Sequence, residues 1–362
     1  MNKILKLLAA FIAVTGIAFA DTMLTESVFV GGFVDMSYVD SDNGVESTSG
    51  IDQIEVDFTF NNGGPVRGQL DIEYENATEA TLNVEEAYIT YVLNDGGMVT
   101  VGRFETMLLQ DASEPTGLYQ YSNAYDFYGS NFNAALYDLG DQGIKYSQGG
   151  WAISLVDSGD SKIGDGNTTT SSIVEGDTVT VTEPNGNYSY EVSYSGKLSD
   201  KVTGFIGGRF TEDDANNNDG DILNLHLTYE EGPWVVGGEF VSSDRSNDGD
   251  VLFSNELLQN ISNAPLNTAL SEADIDLFSL FANYSYSDKA SVTLRYSDIS
   301  GDAVGITANN ALANYKVEAE KITLAHNSAL SDDLALILEY SSEESKYAAD
   351  QDSLAVELLY AF

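Results

Sequence analysis

Apolar residues fall on alternate positions through most of this chain. In 53–60, Ile54, Val56, Phe58 and Phe60 share one face, while Gln53, Glu55, Asp57 and Thr59 share the other. In 66–75, Val66, Leu70, Ile72 and Tyr74 oppose Arg67, Gln69, Asp71, Glu73 and Glu75. The same period runs through 188–197, 222–229, 291–297 and 334–341, and through Leu354, Val356, Leu358, Tyr360 and Phe362. A period of two marks β-strands with one apolar face. Further candidates are 27–39, 84–93, 97–105, 142–148, 150–157, 201–210, 234–243, 275–286, 314–326 and 352–362. Together they make about sixteen strands.

The links between these strands alternate in length. Those at 61–64, 94–97, 148–150, 198–201, 230–233, 287–290 and 328–333 are short and carry Gly, Asn, Asp or Ser, which suit tight turns. Those at 40–50, 76–83, 106–141, 158–185, 211–221, 244–274, 298–313 and 342–351 are mostly longer. Short links at one rim and long ones at the other predict an all-β fold, a transmembrane antiparallel up-and-down β-barrel with short periplasmic turns and long extracellular loops. An even strand number brings the first and last strands together. Backbone amides in hydrocarbon need partners, and only helices or closed sheets supply them all. Phe60, Tyr91, Tyr146, Trp151, Tyr194, Trp234, Tyr284 and Tyr360 lie beside the short links, where amphipathic rings would meet lipid headgroups. A soluble sandwich would also alternate, but it explains neither the link asymmetry nor the aromatic band.

Three stretches break the pattern. Val84 is out of step with Ala87, Ile89 and Tyr91, which predicts a bulge or a late strand start. Val99 and Val101 share parity with Arg103, and 314–326 changes phase around Glu320–Ile322.

Residues 1–20 read as a secretory signal, with Lys3 and Lys6, an apolar middle, and Ala18-Phe19-Ala20 before Asp21. The remainder, 21–362, is then a single barrel domain exported to the outer membrane of a Gram-negative bacterium. The chain holds 58 acidic residues against 15 Lys and Arg, a formal net charge of −43. Such a chain repels nucleic-acid phosphates and suits cations. Cysteine is absent, which removes disulfides and thiolate metal sites.

Catalytic and cofactor signatures are not found. His226 and His326 stand on separate strands without a serine motif, and no phosphate- or dinucleotide-binding glycine loop occurs, so neither enzyme chemistry nor a cofactor is expected. A weak metal candidate is Asp244-x-Ser246-x-Asp248-Gly249-Asp250-Val251, which begins like a calcium loop. Its twelfth position is Asn255 rather than a bidentate acid, so solvated loop is the competing reading.

At 85–104 the chain resembles a known family. Glu85-Glu86-Ala87-Tyr88-Ile89-Thr90-Tyr91, a short Asn-Asp-Gly-Gly turn, then Val99-Thr100-Val101-Gly102-Arg103-Phe104 resembles the strand pair before the inward-folded third loop of Gram-negative porins. Lys321-Ile322-Thr323-Leu324-Ala325-His326-Asn327, Leu330-Ser331 and Phe362 are similar to that family's chain end. The resemblance implies a sixteen-stranded barrel, commonly a homotrimer among outer-membrane lipids, with a loop that narrows the pore. By position that loop is 105–141. Family porins set a basic wall cluster against acids on the loop, and Arg103 matches one wall position. The corresponding second- and sixth-strand positions fall near Gln53/Glu55 and Asp141/Gln142, which are not basic. Where the family has a Pro-Glu-Phe-Gly-Gly tip, this loop reads Asp111-Ala112-Ser113-Glu114-Pro115-Thr116-Gly117. These departures imply a divergent branch with its own eyelet.

A barrel of this strand number encloses a water-filled lumen. Strand parity assigns Glu55, Asp57, Arg67, Asp71, Glu73, Glu191, Arg209, Glu239, Arg295, Glu339 and Glu357 to its wall. Glu105, Asp111, Glu114 and Asp126 join them from the inward loop. Acids outnumber bases, which predicts a cation-preferring diffusion channel for small hydrophilic solutes. Arg67 and Arg103 are expected to face inward where the loop meets the wall, either lining the eyelet or tying the loop down. The alternative is a surface barrel whose long loops, 158–185 and 244–274, serve adhesion or receptor roles with the pore incidental.

Overall fold

The computed structural model describes residues 22–42, 47–75, 81–108, 115–128, 130–131, 141–156, 166–174, 177–185, 187–213, 218–247, 261–262, 269–306 and 312–362. The expected signal at 1–20, and Asp111, Glu114, Asp248 and Asp250, lie outside the described residues.

Sixteen strands form one closed antiparallel sheet. They are β1 Val28–Ser41, β2 Thr48–Asn61, β3 Val66–Glu75, β4 Thr81–Val92, β5 Met98–Phe104, β6 Asp141–Gln148, β7 Trp151–Val156 and β8 Asn187–Lys197. The circuit continues through β9 Val202–Asp213, β10 Asn218–Glu231, β11 Trp234–Asn247, β12 Ala269–Ser287, β13 Ala290–Ile306, β14 Leu312–Ala329, β15 Leu334–Ser345 and β16 Gln351–Ala361. Each strand pairs with the next, and β16 closes onto β1 from Phe33↔Ala361 to Ser41↔Ser353. A short strand, Thr22–Thr25, runs beside the start of β1. All the stretches picked out by alternation are strands. Many run further toward the long-link rim than alternation shows: β12 begins at Ala269 and β11 reaches Asn247. Pairing there continues above the apolar band, where the outer face has turned polar and the hydrophobic signal is gone.

The two faces divide by side-chain chemistry. On β8, Tyr190 and Val192 are about two-fifths exposed while Glu191 between them is 1 % exposed. Along β10 the same contrast sets Leu223, Leu225 and Leu227 outside against Asn224, His226 and Thr228 inside. An outward apolar band with an inward polar face is the arrangement that satisfies both lipid and water. Aromatics gather on the outer face beside the short links, with Trp151 against Tyr194 at 4.9 Å and Trp234 against Tyr284 at 4.5 Å between ring centroids. Among the described residues no helix is long and apolar enough to cross a membrane.

The irregular stretches have physical causes. The β3–β4 register shifts between Asp71 and Ile72, whose partners are Glu86 and Val84. Glu85 is therefore the extra residue of a bulge, and Val84 slips out of step as expected. A second shift in β1–β2, between Asp35 and Met36, leaves Asp52 as an extra residue. The phase change expected in 314–326 does not occur. Tyr315, Val317, Ala319, Lys321, Thr323 and Ala325 are all buried on the inner face, in unbroken alternation. The sequence misleads here because the inner face itself turns apolar toward the long-link rim.

Gly32 holds β1 against β2 with φ 148°, and a Cβ there would stand 2.2 Å from the Glu55 carbonyl oxygen. The Phe362 ring lies over the same glycine, and the Phe362 amide donates to the Gly32 carbonyl at 3.0 Å.

Candidate functional site

After β5 the chain turns into the lumen and lies along the wall opposite β2–β5. The Glu105 amide donates to Glu86 Oε1 at 2.9 Å. Thr106 Oγ1 and the Met107 amide donate to the Glu191 carboxylate on β8, at 2.6 and 3.1 Å. Glu191 also pairs with Arg209 at 3.3 Å. Further on, the Tyr119 carbonyl accepts from Thr293 and Asn327, at 3.2 and 2.6 Å. Tyr121 Oη and Ser37 Oγ on β1 are 3.2 Å apart. Burial holds the Tyr121 phenol above its ordinary pKa range, so it stays a neutral hydroxyl. The Ser122 amide donates to Glu339 at 3.1 Å, Tyr125 Oη to Glu239 at 3.4 Å, and the Tyr128 amide to Glu343 at 2.5 Å. Arg295 and Lys321 donate to loop carbonyls. A loop crossing a barrel exposes main-chain groups on all sides, and these wall side chains satisfy them.

The contact is also apolar. Leu108, Ala124, Tyr125 and Phe127 pack into a cluster with Ile222, Val241, Ile275, Leu277, Ile299 and Val317 on the inner face of β10–β14. Ile261, from the link between β11 and β12, joins the same cluster at 0 % exposure, and Ser262 bridges to Val317. Burying such side chains stabilises by about 1.5–3 kcal/mol each. The lumen is thus not polar all round, as parity alone had suggested. Part of its wall is a seat for the loop.

The opposite wall is acidic, and its carboxylates are in register. Glu55 on β2 faces Glu73 on β3, and Asp57 faces Asp71. Asp71 in turn faces Glu86 on β4. Asp71, Glu55 and Glu73 are buried among these neighbours, with Asp71 accepting from Gln69 and Glu73 from Gln53, each at 2.7 Å. The bulge adds Glu85, whose charged surroundings are Glu55, Glu73, Glu86 and Glu105. Lys145 on β6 is the cation facing this wall; it interacts with Glu86, Glu105 and Glu191 and stands 4.4 Å from the centroid of the Phe104 ring. Burial, reinforced by Glu86 and opposed by Lys145, pushes the Glu105 carboxyl on the loop up to about 7.

The expected site residues separate accordingly. Glu55, Asp57 and Glu105 come together on the acidic wall and at the loop's root. Asp126 lies further along the loop, where its carbonyl accepts from Lys321. Arg67 has lumen parity, opposite Thr90, but it is exposed at the short-link rim beside the turn at 62–65, away from the inward loop. Arg103 pairs with Ala87 and shares the parity of the outward Val99 and Val101, with Nε donating to the Glu85 carbonyl at 2.9 Å. Gly102 just before it has φ 137°, yet the pairing with β6 runs unbroken to Phe104↔Asp141. Arg295 and Glu339 do face inward, but beneath the loop. Sequence reasoning passed over Lys145 and Lys321. Strand parity would have found the first; the second was hidden by the apparent phase change in β14.

The calcium-loop reading meets a strand. Asp244 to Asn247 are the end of β11, laddered to β10 and β12, so these four positions are extended strand and not the curled start of a calcium loop. Asp244 stands in a row with Asp221, Asp274 and Asp302, and among the described residues no group of His, Asp or Glu has the geometry to hold a metal ion.

A family model described as Gram-negative porin matches residues 7–362. No curated protein sequence matches the chain. Solved structures of similar fold include OmpT of Vibrio cholerae in its trimer form, at 12 % identity and TM-score 0.58, covering 93 % of this chain and 99 % of that one. The anion-selective porin of Comamonas acidovorans matches at 15 % identity and TM-score 0.58, covering 93 % and 99 %. OmpF of Salmonella typhi, in complex with daunomycin, matches at 12 % identity and TM-score 0.61, covering 95 % and 100 %.

Proposed function

The chain belongs to the Gram-negative porin family, an outer-membrane channel for diffusion rather than an enzyme, and from that premise we propose that it prefers cations. The observation that carries this reading is the in-register acidic wall: Asp57, Asp71 and Glu86 directly opposed across three strands, with Glu55 and Glu73 beside them. In a confined lumen such rows lower the energy of a passing cation and raise that of an anion. Because the loop is seated on β8–β15, the acidic wall is the side left facing the open passage. Glu105 adds a carboxylate at the loop's root, and Lys145 tempers the field there. Arg67 would act at the short-link mouth, and Arg103 as a brace between β4 and β5. The test is the reversal potential in planar bilayers under a potassium chloride gradient. A potential that favours chloride would overturn the reading.

The further readings extend the same proposal. Residues 1–20 serve as a cleaved signal, and 21–362 as one barrel with the loop at 105–141. The assembly is a homotrimer among outer-membrane lipids, as the trimer form of the Vibrio relative supports by analogy. Small hydrophilic solutes are its cargo. A second role in adhesion has one supporting observation: Gly166–Val174 and Asp177–Asn185 pair as a hairpin separate from the barrel sheet. Deleting that hairpin and measuring surface binding by whole cells, with channel current as the control, separates the two roles.

A further inference from the structure

Two cations sit side by side beneath the inward loop of this strongly acidic chain. Arg295 on β13 and Lys321 on β14 are each 1 % exposed. They are near neighbours, since Arg295 pairs with Thr323 and Lys321 with Ser297. Both aim at one atom. Lys321 Nζ donates to the Asn123 carbonyl oxygen at 2.7 Å, and Arg295 Nη2 donates to the same oxygen at 3.0 Å. Lys321 also donates to the Asp126 carbonyl and lies 5.3 Å from the centroid of the Phe127 ring. Arg295 Nη2 donates to Ser122 Oγ at 2.9 Å. Flanking acids take the opposite role. Glu339 accepts the Ser122 amide and Glu343 the Tyr128 amide. Wall cations thus hold loop carbonyls, and wall carboxylates hold loop amides, over the same seven residues.

We propose that Lys321 and Arg295 are the positioning residues that set the channel's aperture, by fastening loop residues 122–128 to the wall through the Asn123 carbonyl. Charge-assisted hydrogen bonds to a carbonyl are stronger than neutral ones. The fastening is also reciprocal. Two adjacent buried ammonium and guanidinium groups repel each other, and the loop carbonyls offset part of that repulsion. Lifting the loop would break the bonds of both cations to Asn123 together with those of Glu339 and Glu343 to the loop amides, which favours a fixed collar over a gate.

The test reads the steadiness of the current, and so is independent of which ion carries it. Lys321→Met should turn a steady single-channel current into a fluctuating one, with open-channel noise rising several-fold; Lys321→Arg should stay steady. The chain has no cysteine, so Gly117→Cys on the exposed turn of the loop accepts a single spin label. Its spectrum should sharpen in the Lys321→Met background and stay broad with Lys321→Arg. Barrel formation is checked separately by circular dichroism and heat-modifiable gel mobility. If Lys321→Met fails to form a barrel, Arg295→Gln, which keeps an N–H donor without the charge, should give the same noise and mobility. A folded Lys321→Met, or in its place a folded Arg295→Gln, with steady current and an immobile label would overturn the proposal.

Discussion

Asp57 on β2 stands directly opposite Asp71 on β3, both on the lumen face, and Asp71 stands directly opposite Glu86 on β4. Like charges in facing positions destabilise a sheet by roughly 0.2–1 kcal/mol per pair. A wall that keeps three of them in line retains repulsion that a neutral wall would lack, and the field they create over the passage is the compensating gain.

Asp57→Asn and Asp71→Asn should therefore move stability and selectivity in opposite directions. Each should raise barrel stability by up to about 1 kcal/mol in urea unfolding. Each should also lower the preference for potassium over chloride, with the double variant lowest. Equal selectivity in wild type and double variant would remove these residues from the ion path.

Selectivity should depend on pH through Glu105. Its carboxyl is pushed up to about 7, first by burial and then by Glu86. Above that pH the group is ionised and adds negative charge beside the passage; below it the charge is lost, with roughly a tenth remaining one unit lower. Cation preference should fall as pH drops from 8 to 6, and Glu105→Gln should flatten that part of the titration while leaving the preference at its low-pH level.

Gly207 makes room for the loop. A Cβ there would stand 2.5 Å from Leu108 Cδ2 and 2.8 Å from the Phe205 ring. Gly207→Leu adds no charge but must displace Leu108 from its seat. Overpacking of this kind costs about 1–3 kcal/mol. The expected result is a lowered melting temperature together with altered single-channel conductance. Unaltered conductance would mean that Leu108 does not locate the loop.

Closure of the sheet should be sensitive at Gly32. Its φ of 148° and the 2.2 Å approach to the Glu55 carbonyl leave no space for a side chain. Gly32→Val should cost at least about 1–3 kcal/mol through backbone strain alone. It should also slow refolding into detergent micelles, measured by the gel shift between unfolded and folded barrel. Gly63, in an open turn with nothing near its Cβ position, provides the control: Gly63→Asn should refold normally.

The strands and the alternation of links were readable because hydrocarbon imposes a strict rule. Every spanning residue must face lipid or lumen, so a period of two is written into Ile54–Phe60 and Leu334–Tyr340 alike. The bulge at Glu85 was readable too, since one extra residue throws Val84 out of phase. Arg67 and Arg103 fared differently. Parity fixes which face a residue occupies only while the strand stays regular, and says nothing about depth along the barrel. Arg67 has the expected face but sits at the rim, and Arg103 shares the parity of the outward Val99 and Val101.

By itself the sequence determined the barrel, the alternation of short and long links and the acidity of its wall, because these follow from local alternation and from charge count. Only tertiary structure decided which inner residues meet the passage and which meet the loop. That division depends on contacts between positions as distant as Asn123 and Lys321, brought together by closing the sheet. An apolar inner face on β10–β14 looks like noise in a period-two pattern until Tyr125 and Phe127 are seen lying against it.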